Sequence, residues 1–405
     1  MSMDRGAERR LIALLGALVA FGPLSIDLYL PALPAIAAGL RASAEATQLS
    51  VTIFLAGFTA GMLLYGPLSD RYGRRPVLLG GIMLFSVASL VCVLVVAIEQ
   101  LLLARFFQAL GGGAASVLAR AVVRDLFPPL EAIRRLSMMA MITAIAPLVA
   151  PLIGSSLLLW LGWRSEFGIL LLWGLLCLLL VWRLLPESLP AERRGQMTLA
   201  QAFLAYRQII GDRGAIGLML AGGMSFAAMF AYITGSPFVL IELHGLSATV
   251  YGLLFAANAV GILAANYTNS RLVRHLGAAR MARTGALAGL CAALLLTAAV
   301  STGSLGLLGL IVPLFVVVSV TGLLGANCVG LLMSRFPQNA GAAAALFGAS
   351  QFGFGTLASV GVSLFYDGSG RPMVYFILAA SCCSVVGYLL YAHAQSISAL
   401  KSTDD

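Results

Sequence analysis

The sequence predicts an all-α membrane protein of 12 transmembrane helices in two six-helix pseudo-repeats, with both termini in the cytoplasm. Three observations carry this. Of 405 residues, 60% are hydrophobic and 10% charged, against about 25% charged in soluble domains. Twelve stretches are apolar over the roughly 20 residues that a bilayer-spanning helix needs. A single long polar connection divides them six and six.

The totals exclude other classes. A net charge of +9 in a chain this apolar reflects basic loops that fix topology, so no nucleic-acid partner is expected. All six cysteines (Cys92, Cys177, Cys291, Cys328, Cys382 and Cys383) fall in apolar stretches, none in C-x-x-C spacing, and there are three histidines. Neither disulfides nor a metal site is expected. The basic segment Met1–Arg10 leads into a long apolar run without a short h-region and A-x-A site, so it reads as a retained first helix.

Taken in order, the first six spans are expected near 11–35, 46–68, 77–97, 100–123, 134–160 and 166–185. The second six are expected near 215–241, 249–270, 281–300, 305–333, 340–365 and 372–394. The stretch 186–214, holding Glu187, Glu192, Arg193, Arg194, Arg207, Asp212 and Arg213, is the expected cytoplasmic linker between bundles 1–185 and 215–405. With the N-terminus inside, cytoplasmic segments carry 21 of the 25 Lys and Arg residues, and the outer loops carry only Arg41, Arg164 and Arg371. That asymmetry sets the orientation. The remaining cation, Arg105, lies inside a span. The halves echo each other: Gly73 precedes Gly81 by eight residues after span 2, and Gly277 precedes Gly285 by eight after span 8. A duplicated six-helix unit enclosing a cavity is one of the transporter architectures.

The first span contains Ser25-Ile26-Asp27-Leu28-Tyr29-Leu30-Pro31-Ala32-Leu33-Pro34. Asp27 is read as the only acid well inside an apolar stretch. A carboxylate there costs roughly 2.5–3.5 kcal/mol, so it needs a function or a partner. The prolines require packing that repairs the lost backbone bonds. Asp27 lies about 17 residues beyond Arg10, roughly 25 Å deep, and Arg105 about 6 residues from Glu99, roughly 9 Å from the outer end. Both fall in the outer half of a core about 30 Å thick and are expected to pair or share a water network, as a functional site or as a structural ion pair. Gln108 lies one turn from Arg105 on the same face.

The loop after span 2 reads Gly66-Pro-Leu-Ser-Asp70-Arg71-Tyr-Gly73-Arg74-Arg75-Pro76. Its spacing resembles the major facilitator superfamily signature G-x-L-a-D-r-x-G-r-r. The resemblance implies the major facilitator fold and a cytoplasmic gate latch made by Asp70, Arg71 and Arg74, with Asp125 as the acidic partner at the end of span 4. Span 4 is similar to that family's R-x-x-Q-G motif, with Ala109 at the Gly position. Span 5 is similar to its antiporter motif through Pro147, Pro151 and Gly154, with Ala150 and Ser155 at two Gly positions. The run from Asp27 to Pro34 resembles the helix-1 signature of the bicyclomycin-resistance (Bcr/CflA) drug exporters. Phe230–Val239, Asn327 and Ala340–Gly348 with Gln351-Phe352 resemble the same family.

That resemblance implies a multi-pass bacterial inner-membrane transporter, not an enzyme. It implies proton-coupled, multidrug efflux of bicyclomycin, phenicol or sulfonamide type by alternating access, conferring antibiotic resistance, with no cofactor beyond the proton as coupling ion. The expected partners are small-molecule drugs, protons and the lipid bilayer, with a functional monomer. Export of a physiological solute, such as a peptide, amino acid or siderophore, is the alternative on the same fold. Related multidrug antiporters carry a second acid eight residues before the Asp27 position, where this chain has Val19. Asp27 is thus the expected proton carrier, its charge set by burial, which favours the neutral acid, and by Arg105, which favours the carboxylate. Tyr29, Gln108, Tyr232, Asn258, Asn266, Asn327 and Gln351 are candidates either to line the cavity or to make helix–helix hydrogen bonds. No G-x-x-x-x-G-K-S/T loop is present, against an ATP-driven pump.

Overall fold

Prolines decide where the first apolar stretch breaks. In the computed structural model, which describes residues 5–190, 192, 194, 199–303 and 306–401, this stretch is not the single helix expected near 11–35. It forms α1 (Arg5–Val19), α2 (Phe21–Asp27), a tight 3₁₀ turn (Leu30–Ala32) and α3 (Leu33–Leu40). Pro31 and Pro34 have no N–H to return to the carbonyls of Asp27 and Leu30, so the regular ladder stops at the acid. A shorter-range bond from Ala32 N–H to the Tyr29 carbonyl, 3.0 Å, bridges the gap.

The next five spans follow as α4 (Ala44–Tyr72), α5 (Arg74–Leu94), α6 (Ile98–Leu126), α7 (Pro129–Leu161) and α8 (Arg164–Leu184). Ser43 opens α4, its hydroxyl accepting from Ala46 N–H at 3.2 Å, which satisfies one of the helix's orphan donors. The polar stretch 186–214 carries a helix of its own, α9 (Leu199–Ile210), and Arg193 within it lies outside the described residues. Asp212 caps α10 (Arg213–Pro237), accepting from Ala215 N–H at 2.7 Å. Beyond Pro237 the chain widens into a π-helical turn, Phe238–Leu243. There follow α11 (Ala248–Leu276), α12 (Ala278–Thr302), α13 (Gly306–Arg335), α14 (Ala340–Leu364) and α15 (Arg371–Lys401). Among the described residues there is no strand, and 12 helical segments are long and apolar enough to cross a membrane.

The chain forms two compact units, Met1–Leu199 with Ser247–Ala256, and Ala200–Leu246 with Ala257–Asp405. In the first, α6 is the central helix. It presents buried Gly111, Gly112, Gly113, Ala114 and Ala115 to its neighbours, and small residues let helix backbones approach without a cavity. In the second, α10 takes that place against α13, α14 and α15. Its core joins Leu218, Met219, Leu324, Phe347 and Tyr391, with Ile209 of α9 packed among them. Large apolar side chains such as Leu64, Met83, Leu94 and Leu103 in the first unit and Leu295 and Leu308 in the second lie exposed. A bilayer solvates such a surface.

Candidate functional site

The first unit is built around a fully buried arginine. Arg105 of α6 is 0% exposed. Its Nη1 donates to Gln108 Oε1 at 2.6 Å, and its Nη2 donates to the backbone carbonyl of Ser25 on α2 at 2.9 Å. The flat guanidinium lies 4.3 Å from the Tyr29 ring centroid, 4.1 Å from Phe54 and 5.8 Å from Phe167. Such faces stabilise a cation where water is absent. Gln108 passes the chain on, its Nε2 donating to Ser89 Oγ at 2.8 Å. Ser50 Oγ gives its proton to the Thr47 carbonyl, so Tyr29 O–H donates to Ser50 Oγ, at 2.7 Å. Two candidates for the cavity, Tyr29 and Gln108, are therefore committed to this network.

Asp27 makes no direct pair with Arg105. Of the two expected links, a pair or a shared water network, the first is not formed: among the described residues no carboxylate lies within ion-pair distance of Arg105. Arg105 instead takes the backbone carbonyl of Ser25 and the side chain of Gln108. Asp27, 5% exposed, ends α2 at the break. Gly154 of the span-5 motif closes on that break, where a Cβ would overlap the Leu28 carbonyl. Pro147 and Pro151 lie inside the same helix, α7.

Nor is Asp27 the only deeply buried acid. Glu166, in the first turn of α8, is 0% exposed, and neither of its carboxylate oxygens has a hydrogen-bond partner. It was missed because the expected span began at residue 166, which made it a loop-edge acid beside Arg164. The signal was in the periodicity. Glu166 heads the buried stripe Leu170, Gly174, Cys177 and Val181, spaced as one face of a helix.

At the end of α4 the signature loop forms one connected cluster. Gly73 turns the chain at φ +97°, and Arg74 becomes its centre. Arg74 Nη1 contacts Asp70 at 2.6 Å and Ser69 Oγ at 2.5 Å, while its Nε reaches Asp125 at 2.9 Å. Glu187, assigned only to the linker by the sequence, caps α5 by accepting from the backbone N–H groups of Arg74 and Arg75 at 2.9 and 3.2 Å. Arg75 Nη2 donates to the Trp182 carbonyl at 2.6 Å. Arg71 stands apart, stacked over Tyr72 at 5.4 Å. No atom lies within 4 Å of where a Cβ on Gly66 would sit.

The remaining candidates belong to the second unit. Asn258 Nδ2 donates to Tyr232 Oη at 2.9 Å, joining α11 to α10. Asn327 Nδ2 donates to Asn269 Oδ1 at 2.7 Å and to the Leu323 carbonyl at 2.8 Å. Asn266 lies against Gly322, and Gln351 lies 3.4 Å from where a Cβ on Gly325 would sit. Beside Gln351, Phe352 packs with Phe226 and Phe230, ring centroids 5.2 and 6.2 Å away.

A profile of the Major Facilitator Superfamily matches residues 13–360. An MFS-type transporter of Bacillus subtilis, YdgK, is 36% identical over 87% of this chain and 89% of its own. The bicyclomycin resistance protein homolog of Haemophilus influenzae is 30% identical over 93% of this chain and 94% of its own. The multidrug transporter MdfA of Yersinia pestis is 33% identical over 64% of this chain and 63% of its own. Among solved structures, a D-xylose-proton symporter superposes with a TM-score of 0.73 at 20% identity, covering 95% of this chain and 96% of that one. That last likeness is one of fold alone. Twelve apolar helices, the signature loop at Gly73 and these relatives lead to one conclusion: the chain belongs to the major facilitator superfamily and is a multi-pass transporter of the bacterial inner membrane.

Proposed function

We propose that this transporter exports small drug molecules from the cytoplasm in exchange for protons, working by alternating access as a monomer with both termini in the cytoplasm. The relatives named for bicyclomycin resistance and multidrug transport support the substrate class. Bicyclomycin, phenicols and sulfonamides are the compounds to try first. Phe226, Phe230 and Phe352, with Gln351 beside them, supply an apolar surface that can re-pack around varied drugs.

The observation that carries proton coupling is Asp27, a buried carboxyl that sits where the first span breaks and takes no ion pair among the described residues. A carboxyl at a helix break gains or loses a proton without dismantling a salt bridge, and the broken backbone lets α2 and α3 move separately. Asp27 takes a proton from outside, carries it inward and gives it up as drug binds. Exchange of one proton for a neutral drug moves one charge, so export responds to voltage as well as to the pH gradient.

Asp27→Asn is the test. In a drug-sensitive host challenged with an antibiotic panel, the wild-type protein should protect, and a protonophore should remove that protection. D27N should reach the membrane in equal amount and give none. Drug accumulation driven by a pH gradient in D27N vesicles would place the proton carrier elsewhere.

A further inference from the structure

Two buried ionisable groups in the first unit, a base and an acid, do not touch. Arg105 holds its cation against aromatic faces and a backbone carbonyl, and its Nε has no hydrogen-bond partner. Glu166 leaves both carboxylate oxygens without one. The two are neighbours in the same cluster. Phe167, adjacent in sequence to Glu166, lies 5.8 Å from both the guanidinium and the Tyr29 ring, and Arg105 is the charged group that acts electrostatically on Glu166. Other polar groups in this unit are equally idle: both amide atoms of fully buried Gln48, and Ser25 Oγ. Buried polar groups are ordinarily satisfied, and such exceptions call for an explanation.

We propose that Glu166 is a second proton-binding acid of this transporter, a positioning residue whose charge sets where Arg105 sits and, through the Ser25 carbonyl, how α2 meets the break at Asp27. An uncompensated cation away from water costs several kcal/mol. With Glu166 ionised, attraction draws the guanidinium off the Ser25 carbonyl and toward α8. With Glu166 protonated, that attraction vanishes, and Arg105 returns to α2 and Gln108, the arrangement of this structure. The proton comes from water and returns to it. Besides Glu166, the titratable groups facing Arg105 are Tyr29 after α2 and Cys92 on α5; the outer half of α7, from Ala146 to Leu161, carries none. Glu166 takes its place in transport from the proton-coupled reading above, but its titration is measurable without transport.

Infrared difference spectroscopy across a pH series, on the full chain in lipid nanodiscs, tests this. Wild type and D27N should share a titrating carboxylic-acid band that E166Q lacks. Arg105→Gln should move that band to higher pH by about one unit or more, because a neighbouring cation favours the carboxylate. Identical titrations of wild type and E166Q, or an Arg105→Gln band that stays in place, would overturn the proposal. Should Arg105→Gln fail to assemble, thermal unfolding of E166Q against wild type decides it. A gap that changes with pH is expected, whereas a constant gap marks a merely structural residue and overturns it. D27N tests the coupled-export reading separately, so loss of export there and loss of the band in E166Q are distinguishable results.

Discussion

Arg105 shows why arginine rather than lysine occupies a buried site. Two nitrogens of one planar group serve acceptors on different helices, Gln108 Oε1 and the Ser25 carbonyl, while the flat faces lie against Tyr29 and Phe54. A lysine offers one compact, strongly hydrated ammonium without that fork or that stacking. Arg105→Lys keeps the charge but loses one of the two directed bonds and part of a desolvated cation–π contact of about 2 kcal/mol. The expected result is export reduced about tenfold or more with normal membrane insertion, 1.4 kcal/mol being a factor of ten. Wild-type export by R105K vesicles would show that charge alone suffices. Gln108 was readable beforehand because its spacing of three from Arg105 fixes a shared helix face. The Ser25 carbonyl was not, since which backbone acceptor a buried guanidinium reaches is set by how α6 packs on α2.

At the scale of the helix, the eight-residue glycine echo between the halves has a physical cause at both positions. Gly73 and Gly277 each turn the chain between consecutive spans, at φ +97° and +80°. Gly81 then meets α6 at Ala114 and the Gly111 carbonyl, and Gly285 meets α13 at Leu323 and Leu324. The repeat was therefore legible as spacing, although composition alone made it weak evidence. The turn glycines differ in what surrounds them, and this gives a paired test. A Cβ on Gly277 would meet nothing within 4 Å, so Gly277→Ala carries only the cost of holding a side chain at φ +80° and ψ 151°, a conformation that is essentially Gly-only, about 1–3 kcal/mol. A Cβ on Gly73 would lie 2.5 Å from Glu187 Oε2, the oxygen that accepts from Arg75 N–H. Gly73→Ala should therefore lower the unfolding temperature clearly more than Gly277→Ala; equal shifts would show that the Glu187 cap contributes nothing. Pro31 and Pro34 place the end of the ladder in the first span, but what packs against the break was not readable from sequence, here α7 closing on the Leu28 carbonyl through Gly154.

Across the whole molecule, the stretch joining the halves is fastened at both ends. At its start Glu187 caps α5 of the first unit. At its end Asp212 caps α10 and takes a bidentate pair from Arg335, Nε at 2.6 Å and Nη2 at 2.8 Å, in the second. The length and polarity of this connection were plain in the sequence. Its long-range attachments were not, because Glu187 with the start of α5 and Asp212 with Arg335 each join residues more than a hundred positions apart. The Arg335 hydrogen bonds hold the Asp212 carboxyl below its ordinary value of 3.8, and the sign of the resulting pH dependence follows. The folded protein binds this proton less readily than the unfolded chain, so the staple's stabilisation is complete above that ordinary value and is lost as pH falls toward the folded one. Asp212→Asn keeps a capping oxygen but removes the charge and should cost about 1 kcal/mol at neutral pH. Thermal unfolding of the purified protein should show a wild-type advantage over D212N that is constant from pH 8 to about pH 5 and closes below about pH 4. An advantage of unchanged size below that point would mean that Asp212 acts through its cap on α10 and not through its charge on Arg335.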